Sequence, residues 1–349
     1  MRDKVKWGII GSGGIAKRRT IPEGFVPSNN AGLVSVYGTN AKTNKEVANQ
    51  FGAKAVDTLD ALFASGIDAV YVASPVHAHL EQVLACARAG KHVLCEKPLG
   101  RNVAEAEEMA AACRRAGVQF GTAFMMRFHT QHQAAAEIIR AGKMGKPVFA
   151  RAQLSCWYPP MPKAWRQDPA LAGGGALMDL AGHCIDVLEM CFGPVKEVSC
   201  FAGNVVHNYA SDDGAVTLLQ FANGAFGTVD TFFCIQDSSS KNALELYGSQ
   251  GSIHATGTIG QGSQGEMICQ LQSGETGYEA QQERTASGGV KISPEPKNIY
   301  RAEIEAFSQS VLDGRPNPHQ AIELGLHSQK VLAACYESSR TRKAITIPQ

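Results

Sequence analysis

Apolar positions in the first third of the chain fall into five short, β-prone runs: VKWGII at 5–10, LVSVYG at 33–38, AVYVAS at 69–74, HVLCEK at 92–97 and VQFGTA at 118–123. Between them, NKEVANQFG, HLEQVLACARAG and AEAEEMAAACRRAG carry apolar residues three and four apart and end at glycine, the period and stop of a helix. Strands alternating with helices build right-handed βαβ crossovers and a parallel sheet. The pattern therefore predicts an α/β chain whose residues 1–124 form a doubly wound, dinucleotide-binding domain.

From about residue 125 the period changes. A helix is predicted over 131–141, then strands at PVFARAQLSC, VSCFAGNVV, GAVTLLQFANGAFGTVDTFF and NALELYGSQGSIHAT, with ANGA as a hairpin turn. Long strands joined by tight turns predict a large, mostly antiparallel sheet in an α+β domain over 125–349. Helices expected at about 173–192, 300–313 and 319–339 should cover one of its faces. The Gly-, Ser-, Gln- and Glu-rich stretch 256–298 predicts a further hairpin. GAVTLLQF and GTVDTFF carry apolar residues on both faces, more than one helical layer buries, so a homodimer or homotetramer is expected.

Composition narrows the function. With 33 basic and 32 acidic side chains the net charge is +1, and the longest like-charged block is KRR at 17–19, which argues against nucleic acid or a membrane surface as partner. Ten cysteines are scattered singly, without C-x-x-C or zinc-type spacing. They predict free thiols, no metal and a cytoplasmic location, consistent with an N-terminus that lacks a leader pattern.

The loop GIIGSGGIA at 8–16 sets Gly11, Gly13 and Ala16 as G-x-G-x-x-A between a strand and a helix. Gly11 permits the tight turn, Gly13 lets a pyrophosphate approach, and Gly14 and Ile15 open the helix whose N-terminus faces the phosphates. The second strand ends Tyr37, Gly38, Thr39, Asn40, then Lys42, with no carboxylate among them to hold an adenosine ribose. Space at Gly38 and donors from Thr39, Asn40 and Lys42 suit a 2′-phosphate, so NADP is preferred over NAD.

Charges at LCEKPLG, 94–100, arrive where a strand leaves its sheet, the end at which doubly wound enzymes place their chemistry. Downstream, GGGALMDLAGHCIDVLEMCFG at 173–193 puts Asp179 and His183 at i and i+4 on one helix face, with Asp186 a turn further.

Together with VASPVHAHLEQV at 72–83, RFH at 127–129 and WRQDPALAGGGALMDLAGHCID at 165–186, these segments resemble the Gfo/Idh/MocA family of glucose-fructose oxidoreductase and inositol dehydrogenase. The resemblance implies a pyridine-nucleotide oxidoreductase acting on a sugar or cyclitol, with a C-terminal sheet that often forms the oligomer interface. It also implies dinucleotide contacts from Ser74, His77 and His79.

The chemistry follows from residue types. Oxidising a secondary alcohol requires a base for the hydroxyl proton, and His183 suits it. Lys97 donates to the reacting oxygen, Asp179 holds a second hydroxyl and biases His183, and Glu96 supports the cofactor ribose or the strand end. Trp165 and Arg166 are placed at the cofactor. Arg127 is placed at substrate hydroxyls, although Met126 and Thr130 depart from the family pattern there, and Tyr158 and Lys163 are placed at the pocket rim. Competing readings are a self-recycling enzyme that retains its nucleotide and a non-catalytic nucleotide sensor.

Overall fold

The structure is a computed structural model that describes residues 4–272, 280 and 288–348. Six parallel strands, β1 Val5–Ile10, β2 Ala31–Tyr37, β3 Lys54–Val56, β4 Ala69–Val72, β5 His92–Glu96 and β6 Phe120–Ala123, form a sheet in the order 3-2-1-4-5-6. Five were legible in the sequence. β3 was not, because three residues at a sheet edge carry no apolar run. The order reverses between β1 and β4, which opens a crevice beyond the strand ends where ligands of such sheets bind. Gly11 N–H donates to Tyr37 O at 2.8 Å and Ala73 N–H to Ile10 O at 2.8 Å, so the three loops around that crevice are tied together.

The helix after the glycine loop is wound as a π-helix over Ala16–Phe25, with Val26 N–H bonded to Ile21 O at 3.0 Å. Pro22, inside it, has no N–H to give the tighter ladder.

The second sheet has nine strands: β7 Pro147–Ser155, β8 Val195–Gly203, β9 Gly214–Phe221, β10 Phe226–Phe232, β11 Ala243–Gly248, β12 Gly251–Thr256, β13 Glu266–Leu271, β14 Val290–Lys291 and β15 Ile345–Thr346, in the order 14-13-12-11-7-10-9-8-15. All neighbours are antiparallel except β7 with β10. β13 and β14 make the hairpin expected after residue 256; most of its connection, 273–279 and 281–287, lies outside the described residues. Ala150, Ala152, Leu219, Val229, Leu244 and Ile253 face inward and pack with Leu177, Ile185 and Leu188. The outer face keeps Phe201, Leu218 and Phe226 more than half exposed, with Val216 beside them.

Two helices depart from expectation. Ile299–Asp313, expected on the second sheet, returns to the first: Ile304 and Phe307 share a core with Trp7, Tyr71 and Leu94, and Trp7 Nε1–H donates to Ser308 Oγ at 3.0 Å. Ile322–Thr341 spans both halves, its Ile322 and Leu326 against the first core and its Ser338 Oγ accepting from Cys200 N–H of β8 at 3.0 Å. Periodicity reveals an apolar stripe without saying which sheet covers it. The segment Pro169–Phe192 has the length and apolarity of a membrane span, yet 83% of its most apolar 18-residue window is buried inside the protein, as in a core helix. All ten cysteines are free.

Candidate active site

β5 delivers Glu96, Lys97 and Pro98 to the crevice, and the turn is braced from below. The buried His79 ring reaches Ser74 O through Nε2 at 2.9 Å and Pro98 O and Leu99 O through Nδ1 at 3.2 and 3.1 Å. His79, expected at the dinucleotide, thus ties the loop after β4 to the turn after β5. Glu96 accepts a short bond from the Tyr71 hydroxyl, which also meets Thr20 Oγ1 at 3.1 Å. Burial raises the Glu96 carboxyl, with Lys97 and Tyr71 opposing the rise. Of its two expected roles, Glu96 is seen in the one at the strand end.

The segment opposite is set by three glycines that leave no room for side chains. A Cβ on Gly173, whose φ is +77°, would lie 2.6 Å from Arg101 O. On Gly174 it would lie 1.9 Å from the Tyr336 hydroxyl oxygen, and on Gly175 1.9 Å from Asp212 O. Triple glycine is therefore the joint at which three pieces of chain meet. Beyond it the chain winds as a π-helix over Leu177–Ala181 and then an α-helix over Gly182–Phe192, rather than the single helix expected.

This geometry brings Lys97 to Asp179. Lys97 Nζ donates to Asp179 O at 2.8 Å and to Oδ1 at 3.0 Å, while Arg166 Nε donates to Oδ2 at 3.0 Å. Burial alone would raise the Asp179 carboxyl, but the Arg166 and Lys97 cations outweigh it and hold the group well below the usual carboxylate range. Both carboxylate oxygens are thus occupied, and Asp179 biases His183 through its field rather than through a hydrogen bond. His183 is buried, and its ring makes no hydrogen bond to another described residue. Burial and the nearby Lys97 ammonium hold its pKa well below 6.5, against the pull of Asp179. The imidazole is neutral at neutral pH.

Arg166, expected at the cofactor, stands in this cluster, its guanidinium 4.3 Å from the centre of the Trp165 ring and its Nε on Asp179. Lys163 is exposed with φ +61° in the same loop. Arg127, expected at substrate hydroxyls, is paired with Asp186: its Nε lies 2.7 Å from Asp186 Oδ1, and both side chains are buried. Burial raises the Asp186 carboxyl to about 6 even beside that guanidinium. A buried arginine needs a carboxylate, and Asp186 is the one its position supplies.

On the nucleotide side the residues fit a dinucleotide. Gly11 has φ +93°, and a Cβ there would lie 2.5 Å from Ser74 N. Gly13 has nothing within 4 Å of where a Cβ would stand, and Gly14 has φ +49° with the same open space. That is an uncovered backbone cradle before a helix, the shape a pyrophosphate takes. Ile15 packs against the core of the second domain. Thr39, Asn40 and Lys42 lie exposed at the end of β2, with Asn40 Oδ1 capping the next helix at Thr43 N–H, 3.0 Å. Gly38 leaves no room for a side chain: a Cβ there would lie 2.3 Å from Ser12 Oγ. The first carboxylate downstream, Glu46, sits 3.6 Å from Lys17 Nζ. Ser74 Oγ bonds Gln82 at 2.5 Å, and His77 is exposed.

Sequence reasoning passed over Tyr71, Cys156, Asp212, Asp213 and Tyr336. Asp212 and Asp213 stand in SDDG before a strand, where paired carboxylates read as a solvated turn.

Residues 5–124 match the profile of an oxidoreductase family with an NAD-binding Rossmann fold, and residues 132–254 match the GFO/IDH/MocA C-terminal domain. A 1,5-anhydro-D-fructose reductase from Ensifer adhaerens is 29% identical over 346 residues, 98% of each chain. A trans-1,2-dihydrobenzene-1,2-diol dehydrogenase from Mus musculus is 33% identical over 251 residues, 71% of this chain and 73% of its own. The structure of levoglucosan dehydrogenase with NADH and levoglucosan superposes with a TM-score of 0.85 at 24% identity, covering 99% of this chain and 100% of that one. A nucleotide cradle at the switch point, a lysine after β5, an Asp/His helix facing it and two matching domain profiles together make this chain a member of the Gfo/Idh/MocA family of NAD(P)-dependent oxidoreductases.

Proposed function

We propose that this protein interconverts a secondary alcohol and a ketone on a sugar, anhydrosugar or cyclitol, with NADP preferred over NAD. The observation that carries the reading is the meeting of Lys97, Asp179 and His183 at the strand ends beside the glycine cradle. Bound nicotinamide supplies the hydride acceptor or donor.

The protein's own residues handle the proton and the orientation. His183, neutral and without a hydrogen-bond partner among the described residues, takes the hydroxyl proton during oxidation and returns it in reduction. Lys97 carries three donors, of which Asp179 holds two contacts, so an oxygen developing negative charge finds a donor already in place. Ionised Asp179, fixed between Lys97 and Arg166, accepts from a neighbouring hydroxyl and favours a vicinal polyol over a simple alcohol. Similarity to reductases and dehydrogenases of sugars and diols supports that substrate class. The exposed outer face of the second sheet, apolar around a charged centre of Arg151, Asp230 and Glu245, suits contact with a second copy in a homo-oligomer.

The test is a panel of pentoses, hexoses, anhydrosugars and inositols with each nucleotide, followed by Lys97→Ala and His183→Ala on the best substrate. Each variant is expected to lose about 10²- to 10⁴-fold in kcat, the usual range for a positioned acid–base group. Nucleotide affinity should stay within a few-fold. Near-normal turnover in either variant refutes the assignment.

A further inference from the structure

Two adjacent carboxylates outside the catalytic cluster are buried, Asp212 at 8% and Asp213 at 0% exposure. Burying an ionised carboxylate is costly unless donors surround it, so each buried pair of oxygens marks something held in place. Here they hold different things.

Asp212 faces the catalytic segment. Its Oδ1 accepts from Gly175 N–H at 2.8 Å and from the Tyr336 hydroxyl at 2.7 Å, and its Oδ2 accepts from Leu177 N–H at 2.8 Å. Its main-chain carbonyl accepts from Ala176 N–H at 2.9 Å. Three successive residues, ending two before Asp179, are thus pinned by one aspartate.

Asp213 faces the other way. Its carboxylate accepts from Val205, Val206 and His207 N–H at 2.7, 2.8 and 2.6 Å. The loop so fixed carries His207 and Tyr209 against Trp157 and Tyr158. Their rings stack at 5.3 Å, Trp157 meets His207 edge-on at 4.9 Å, and the Tyr209 hydroxyl donates to Tyr158 O at 3.2 Å. Ser211 N–H donates to Gln167 O at 3.3 Å, next to Arg166. Arg166 in turn donates to Asp179 Oδ2 at 3.0 Å. The aromatic loop therefore borders the catalytic cluster.

We propose that Asp212 and Asp213 are a positioning pair for the reaction, Asp212 setting where Asp179 and His183 stand and Asp213 setting an aromatic wall of Tyr158 and Tyr209 against which the substrate ring packs. Because the two residues are adjacent on one backbone, floor and wall are fixed relative to each other. The proposal rests on the assignment of Lys97, Asp179 and His183.

The two roles separate kinetically. Asp212→Asn keeps the size of the side chain but loses an acceptor, and should lower kcat by about 10- to 100-fold, as small misplacements of catalytic groups do, with KM changed much less. Asp213→Asn should raise KM about tenfold, far more than it lowers kcat, because its loop touches substrate and not the reacting atoms. Tyr336→Phe removes a single hydroxyl and should show the kcat effect in weaker form, and it carries the test if Asp212→Asn does not fold. All are measured on the full-length protein, with the fraction of active sites counted by NADPH titration of intrinsic fluorescence. A purely structural role predicts fewer titratable sites with unchanged kcat and KM per site, and that result overturns the proposal. Equal changes in both constants for Asp212→Asn and Asp213→Asn overturn it as well. An inactive His183→Ala beside a fully active Asp212→Asn removes only the positioning role, whereas a fully active His183→Ala removes the catalytic assignment beneath it.

Discussion

His183 is the residue whose environment makes the sharpest statement about catalysis. A base must be unprotonated to accept a proton, and burial with the Lys97 ammonium nearby pushes the His183 pKa well below 6.5. The competent form therefore persists as pH falls through 6.5 and disappears only in more acid solution. For alcohol oxidation, kcat/KM should stay level from pH 7.5 down past 6.5 and then decline. A half-maximal point at or above 6.5 in a pH profile refutes this. The residue types of the site were legible because Lys97, Asp179 and His183 stand in spaced motifs. Their partners were not, since Arg166 and Asp186 each could serve several neighbours and only packing chose Asp179 for one and Arg127 for the other.

At the scale of elements, we assign the adenosine end of the nucleotide to the end of β2 and the helix that follows. Gly38 does not accept a side chain without displacing Ser12, so the position at which to test phosphate recognition is Thr39, exposed at the strand end. Thr39→Asp with Lys42→Ala should weaken NADP binding by about 10- to 100-fold, the value of one or two charge-assisted hydrogen bonds of roughly 1.5 kcal/mol each, and leave NAD within a few-fold. Calorimetry with both nucleotides measures it, and an unchanged NADP affinity shows that the 2′-phosphate is held elsewhere. The glycine loop and the catalytic helix were readable as elements because each carries a backbone requirement, Gly11 at φ +93° and Gly173 at φ +77°. The short β3 was not, because its pairing and not its composition makes it a strand.

For the molecule as a whole, the unclaimed surface is the outer face of the nine-stranded sheet. Phe201, Leu218 and Phe226 stand more than half exposed on three adjacent strands, an arrangement a solvated surface rarely keeps. Light scattering at micromolar concentration should find a dimer or tetramer, and Leu218→Lys with Phe226→Lys should dissociate it to 37 kDa without abolishing nucleotide binding. A monomeric parent protein refutes the interface.

Local chemistry alone determined that this chain folds as a parallel nucleotide-binding sheet followed by a large, mostly antiparallel one, and it singled out the lysine, aspartate and histidine to which we assign the reaction. Periods of 2 and 3.6, glycine positions and strand-end charges are properties of neighbouring residues, and they survive in a one-dimensional reading. Tertiary structure decided the rest: that the Ile299–Asp313 helix closes the first sheet, that His79 braces the Lys97 turn, and that Asp212 and Asp213 hold residues 175–177 and 205–207. Each of those depends on contacts between residues far apart in the chain, and a buried polar group takes whichever partner the packing brings within about 3 Å.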